Sequence, residues 1–174
     1  PRDGASAADP ARVFAFDLAR DSVQMAARAD AANAVRWFVG NLADIPLQDG
    51  TIDCVLDVFS PSNFAEFARV AAPGATLVKV VPGPRHDIQL REAAGGLLRS
   101  GGYDNADVLG LVDAHARVVS RELVTRTMPM PPDDVRAFAA MTPLLFHVDV
   151  DGLDLSAVTE LTVEAEVVVA KLGE

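Results

Sequence analysis

Four short apolar runs, each breaking off at a polar or Pro/Gly step, set the tightest limit on what this chain can become. They are residues 13–17 (VFAFD), 36–40 (RWFVG), 52–59 (IDCVLDVF) and 75–81 (ATLVKVV). Runs of this length, rich in β-branched and aromatic residues, read as strands. Between them lie helical patterns: residues 22–31 behind a capping Asp21, with Val23, Ala26 and Ala27 on one face, and residues 63–71, with Phe64, Phe67 and Ala68 inward. Alternation of this kind predicts an α/β fold, a mainly parallel sheet covered on both faces, with residues 52–59 as a buried strand.

Further along, Pro73-Gly74 predicts a turn, and a helical signal runs from Asp87 to about Arg99, broken by Gly95-Gly96 and closed by Gly101-Gly102. Residues 116–127 alternate well enough for a strand, Asp133-Asp134 cap a helix over 135–141, and residues 160–171 (ELTVEAEVVVAK) alternate with period two. The two late strands carry polar alternate residues, which predicts an antiparallel hairpin at the edge of the parallel sheet.

With 174 residues, half of them apolar, the chain can bury one sizeable core. Residues 1–12 read as a surface loop and 13–174 as the domain. No apolar run approaches the roughly 20 residues a membrane span needs, and the start lacks a secretion signal, so a soluble cytoplasmic protein with no membrane partner is expected. The single cysteine, Cys54, reads as a buried small hydrophobe; no disulfide or cysteine-rich zinc site can be built from it, and no metal ligand set is expected. A net charge of −10 argues against sequence-indifferent nucleic-acid binding, although Arg85, His86, Arg91 and Arg99 gather in the middle while many acids lie near the C-terminus.

Four constellations carry candidate chemistry. Asp17 ends an apolar strand before a helix, where an acid accepts the hydroxyls of a ribose or else merely caps and solvates a loop, with Leu18 beside it. Asn41 and Leu42 follow the second run, and a Pro-containing loop with an Asp49-Gly50 turn leads to the next strand. Asp57-Val58-Phe59-Ser60-Pro61-Ser62 closes the third run, where Phe59 lines a pocket, stacks on a base or is simply core. Val80-Val81-Pro82-Gly83-Pro84-Arg85-His86 forms a stiff loop after the fourth run, and Met141-Thr142-Pro143 ends a helix at a proline-directed bend. Arg85 suits a phosphate or a guanine O6 face, and His86 can donate or accept beside it; either can instead hold loop carbonyls. His115 and His147 have no such setting and read as surface or packing residues.

The series from Gly40 to Asp53 resembles class I methyltransferases. The pairing of PGPRH after one strand with MTP before the last looks like the guanine-N1 methyltransferases of 23S ribosomal RNA, a group that includes macrolide-resistance enzymes. The resemblance runs from Val13 to Leu172. It implies S-adenosylmethionine held by Asp17, Leu18, Asn41, Leu42 and Phe59, and a ribosomal RNA hairpin contacted by Phe59, Ser60, Pro61, Arg85, His86, Met141 and Thr142. Guanine N1 must lose a proton on methylation, and Asp57 is a candidate base. The family also has a first strand with a Gly-rich turn and an N-terminal zinc module built from cysteines. Neither is found in this chain, which therefore reads as N-terminally incomplete, with zinc expected only in such a module; a homodimer is compatible with the family. The other readings are a small-molecule methyltransferase, which the acidic charge favours, and a cofactor-free interaction module, which the absent glycine turn allows. A nicotinamide-dependent dehydrogenase would want the same turn and has no use for the PGPRH loop.

Overall fold

The computed structural model describes residues 12–98 and 103–173. The expected loop at 1–12 lies, but for Arg12, outside the described residues, as do Arg99 and the closing Gly101-Gly102. The chain divides into two compact units, Pro1–Gln48 and Asp49–Glu174.

In the first unit β1 (Val13–Asp17) pairs in parallel with β2 (Val35–Val39), and α1 (Arg20–Ala29) connects them. Phe16 and Phe38 stack across the pair with ring centres 5.2 Å apart. A Cβ on Gly40 would fall 2.9 Å from Phe38 Cε2, so ring packing explains the glycine that follows β2. Asp21 does not cap α1. The cap position belongs to Ala19, with no side-chain hydrogen bond, and Asp21 lies in the first turn, where its charge favours the helix dipole. On the expected apolar face Val23 is buried and Ala27 is exposed.

In the second unit β3 (Ile52–Val58), β4 (Ala71–Pro82), β6 (Glu160–Leu172) and β5 (Ala116–Pro129) form a sheet in that order. β3 and β4 run parallel, while β6 is antiparallel to both neighbours. The expected late hairpin is therefore present, with β5 at the edge. Pro73-Gly74 makes no turn between elements: β4 passes through it, and the pairing slips from Ile52↔Ala71 to Cys54↔Thr76. The extra residues bulge out, with Gly74 at φ 74°, a conformation that suits glycine.

β3 is an edge strand rather than a buried one. Asp57 is buried, but Cys54, Leu56 and Val58 on the opposite face are exposed, so Cys54 is not the core residue expected. Asn63 caps α2 (Phe64–Val70) by accepting the Glu66 amide at 3.2 Å. Phe64, Phe67 and Val70 are buried there, whereas Ala68 is exposed; the helix uses an i, i+3, i+6 stripe. After β4 come α3 (Ile88–Ala94), α4 (Ala106–His115) and α5 (Pro132–Met141). Pro131, not Asp133 or Asp134, occupies the cap of α5, with Pro132 pre-shaping the first turn and both acids inside it. Leu90, Ala94, Val135, Ala139, Leu145 and Leu161 build the core that unites α3 and α5 with β6. Each such leucine stabilises the fold by about 1.5–3 kcal/mol.

Candidate active site

The first unit brings Asp17 and Asn41 to one end of its small sheet. Asp17 pairs with Val39, and its carbonyl accepts the Gly40 amide at 3.1 Å. The side chains of Asp17 and Asn41 organise their own loops: Asp17 Oδ1 accepts the Ala19 amide at 2.7 Å, and Asn41 Oδ1 accepts the Ala43 amide at 2.9 Å. Both residues are exposed, as is Leu18, while Leu42 is half-buried. Among the described residues neither Asp17 Oδ2 nor the Asn41 side-chain nitrogen has a hydrogen-bond partner. An acceptor pair for a ribose and a polar group for an adenine edge are the donor and acceptor types an adenosyl group asks for.

In the second unit the end of β3 is locked by a buried ion pair. Lys79 Nζ lies 3.0 Å from Asp57 Oδ2 and donates to the Ser60 carbonyl at 2.5 Å. The Ser60 hydroxyl donates to Asp57 Oδ1, and the Ser62 hydroxyl to Oδ2 at 2.8 Å. Asp57, the candidate base, is 4% exposed with both oxygens engaged. Its geometry is that of an anchor for the turn at 58–62. That turn forces Phe59 into the left-handed region, at φ 51°, and leaves its ring half exposed. A non-glycine residue there costs about 1–3 kcal/mol, a strain found where surroundings dictate it. Pro61 is exposed.

The PGPRH loop continues the work of β4 after the strand has turned away. Gly83 donates to the Glu164 carbonyl at 2.8 Å and Asp87 to the Thr162 carbonyl at 2.9 Å. The Thr162 amide finds Gln89 Oε1 at 2.9 Å, and the Glu164 amide finds His86 Nδ1 at 3.3 Å. His86 Nδ1 also lies 2.9 Å from the Glu164 carbonyl. Nδ1 donates to the carbonyl in one tautomer and accepts from the amide in the other, and the far ring nitrogen, Nε2, lies 3.5 Å from Asp87 Oδ2. Two side chains thus replace strand backbone along β6. A Cβ on Gly83 would meet Glu164 Cγ at 2.6 Å, so the glycine between the two prolines lets this carboxylate cross.

Glu164 holds the loop from below. Its Oε1 accepts the Arg85 amide at 2.7 Å and its Oε2 the Thr125 hydroxyl at 2.8 Å. The Arg85 amide, then Thr125, draw its pKa below the ordinary range against the opposing effect of burial. The Arg85 side chain stays exposed. His86 is buried against two rings, Phe59 at 4.9 Å and Tyr103 at 5.6 Å between centres, both edge-on. The Arg91 guanidinium lies 5.9 Å above Tyr103 and donates to the Pro84 carbonyl. Burial, then the Asp87 charge, pushes the Tyr103 phenol up to about 12.

Thr142 joins the second motif to the first. Its buried hydroxyl lies 3.4 Å from Asp87 Oδ2, while Met141 beside it is exposed. Asp87 itself has φ 52°, is 1% exposed, and among the described residues its Oδ1 has no hydrogen-bond partner. Burial raises its pKa, against the pull of His86, Thr142 and Arg91. Asp87, Tyr103 and Glu164 are not among the residues expected in the site, and Arg91 is expected only as part of a basic cluster; the visible signal for Asp87 is an acid directly behind PGPRH. His115 stacks on Phe64 at 4.9 Å, and His147 is exposed. Among the described residues no group of three His, Cys, Asp or Glu side chains is placed to hold a metal, and no helix is long and apolar enough to cross a membrane.

Residues 3–79 match the family described as "Methyltransferase domain". The 23S rRNA (guanine(748)-N(1))-methyltransferase of Streptomyces fradiae is 31% identical over 163 residues, which cover 90% of this chain and 57% of that protein. The chain thus spans little more than half the length of that relative. Among solved structures, an S-adenosylmethionine-dependent methyltransferase from Aquifex aeolicus superposes with a TM-score of 0.52 at 19% identity, over 92% of this chain and 69% of the other. The N-methyltransferase NodS from Bradyrhizobium japonicum superposes with a TM-score of 0.54 at 10% identity, over 94% and 74%.

Proposed function

We propose that this chain, which has the class I S-adenosylmethionine-dependent methyltransferase fold and is related in sequence to 23S rRNA guanine-N1-methyltransferases, methylates N1 of a guanine in a ribosomal RNA hairpin. The observation that carries this reading is the joining of its two most specific motifs: PGPRH and MTP, far apart in sequence, meet where Thr142 reaches Asp87. They meet beyond the carboxyl ends of the parallel strands β3 and β4, where ligands of such sheets bind.

In this reading Asp17 takes the ribose hydroxyls of the methyl donor, and Asn41 with Leu42 takes the adenine. Bound there, S-adenosylmethionine supplies a methyl group on a positively charged sulfur that departs as a neutral thioether. Phe59 offers its exposed face to a base turned out of its stack. Arg85, with its backbone held by Glu164, presents a cation to the RNA phosphates, and Ser60, Pro61 and Met141 border the same loops. Orientation of the target nitrogen toward the methyl carbon accounts for much of the acceleration.

The test sets ribosomal RNA hairpins against a panel of phenols and amines, with radiolabelled donor. Transfer to RNA supports the reading. Transfer to small molecules alone would make this a small-molecule methyltransferase, the reading that the net charge of −10 favours. Absence of any heat on titration with S-adenosylhomocysteine would leave only an interaction module.

A further inference from the structure

Two buried polar side-chain atoms in the second unit have no hydrogen-bond partner among the described residues: Asp87 Oδ1 and Arg91 Nε. Leaving either unpaired costs free energy, more for charged groups, so each asks for an explanation. They stand one helical turn apart, with the Asp87 carbonyl accepting the Arg91 amide at 3.0 Å. One is an acceptor and the other a donor. The Watson–Crick edge of guanine presents the complementary pair side by side, a donor at N1–H and an acceptor at O6.

On the reading that the chain methylates guanine N1, we infer that Asp87 is the acceptor of the N1 proton and that Arg91 binds O6, so that the two unpaired atoms are filled by the target base. In the step, the N1–H bond breaks and its proton passes to the Asp87 carboxylate. The N1 electron pair forms the bond to the methyl carbon, and the carbon–sulfur bond breaks with its electrons going to sulfur. Charge that builds on O6 as N1 loses its proton meets the guanidinium. A carboxylate and a sulfonium are consumed, and a carboxylic acid, a neutral thioether and a neutral methylated base result.

The surroundings fit this role better than those of Asp57. Asp57 faces a lysine at 3.0 Å and two hydroxyls, so both of its oxygens are already taken up by partners within the protein. Among the described residues the partners of the Asp87 carboxylate are distant, Thr142 at 3.4 Å and His86 at 3.5 Å, both on Oδ2. The charged and titratable groups around it are His86 from the loop, Arg91 from α3 and Tyr103. Burial makes it a stronger base than an ordinary carboxylate. Both atoms are shielded from solvent, and the half-buried Tyr103 packs on Arg91 and on His86 beside them. His86 is a positioning residue: it ties Asp87 to β6.

The experiment is single-turnover methylation of a 23S hairpin by the wild-type protein, D87N and R91K, with guanine or 8-azaguanine, whose N1 is more acidic, at the target position. D87N is expected to lose about 10²–10⁴-fold in rate on guanine, the range of general-base contributions, with unchanged S-adenosylhomocysteine affinity. It should recover at least tenfold on the azaguanine RNA, because a more acidic N1 has less need of a base. R91K should lose rate on both RNAs. A D87N rate within threefold of wild type, or an equal loss on both RNAs, overturns the assignment. Should D87N fail to fold, R91K decides: full rate on guanine removes the O6 contact and with it the paired site. If the wild-type protein itself leaves every RNA unmethylated, the guanine reading falls first and takes this inference with it.

Discussion

Glu164 Oε1 accepts the backbone amide of Arg85 at 2.7 Å, so the loop is gripped through the main chain of the very residue whose side chain reaches solvent. Structural and recognition duties at this position are therefore separable. Arg85→Ala keeps the amide and removes the cation. It should leave thermal stability unchanged and S-adenosylhomocysteine affinity unaltered, while RNA affinity falls by about 1–3 kcal/mol and the salt slope drops by about one. Melting curves and RNA titrations at several salt concentrations check this; a lowered melting temperature would make Arg85 a folding residue.

The buried pair between Lys79 and Asp57 predicts a large stability effect. Lys79→Met leaves the Asp57 carboxylate buried with two hydroxyls and no cation, which costs about 3–5 kcal/mol. Urea denaturation measures it. A loss under 1 kcal/mol would mean that the ion pair is dispensable and the serines suffice.

Asp87 and Glu164 should shape the pH dependence of stability in opposite senses. The raised pKa of Asp87 means that its contribution is complete below the unfolded carboxyl value and is lost as pH rises through the folded one. The lowered pKa of Glu164 means that its contribution is present above the unfolded value and is lost as pH falls through the folded one. Denaturation across the acidic range should therefore show Glu164→Gln flattening the acid-side loss. Asp87→Asn should gain on wild type as pH rises. Parallel curves for all three proteins would contradict both directions.

Asp17→Asn retains an oxygen for the Ala19 amide but removes the charge offered to a ribose. Loss of one charge-assisted hydrogen bond predicts S-adenosylhomocysteine binding weaker by about 1.5–3 kcal/mol, with little change in stability. Calorimetry reads this directly. Unchanged affinity would take Asp17 out of the cofactor site.

Much of the fold was legible because strands announce themselves over five to eight residues. β1 matches its expected span residue for residue, and the alternation of 160–171 found β6 to within one position. α4 went unseen, since its apolar residues are spread around the helix and only Val112 is fully buried. The caps of α1 and α5 misled for a physical reason: acids favour the whole first turn, so Asp21 and Asp133 mark the helix start without occupying the cap.

The site was legible in part. PGPRH and MTP were recognisable as motifs, but their meeting through Asp87 and Thr142 depends on how α3 and α5 pack, which no local pattern encodes. Glu164 was hidden for another reason. Period-two alternation assigns it, with Thr162, to a polar face, and nothing in that pattern says that the face is buried under a returning loop.

The most direct measurement is reverse transcription across a 23S hairpin after incubation with the protein and S-adenosylmethionine, because a methyl group on N1 blocks Watson–Crick pairing. The account predicts a stop at a single guanine, dependent on the methyl donor, with the methylated nucleoside confirmed by mass spectrometry. Read-through at every guanine, or a methyl group found on any other atom, would contradict it.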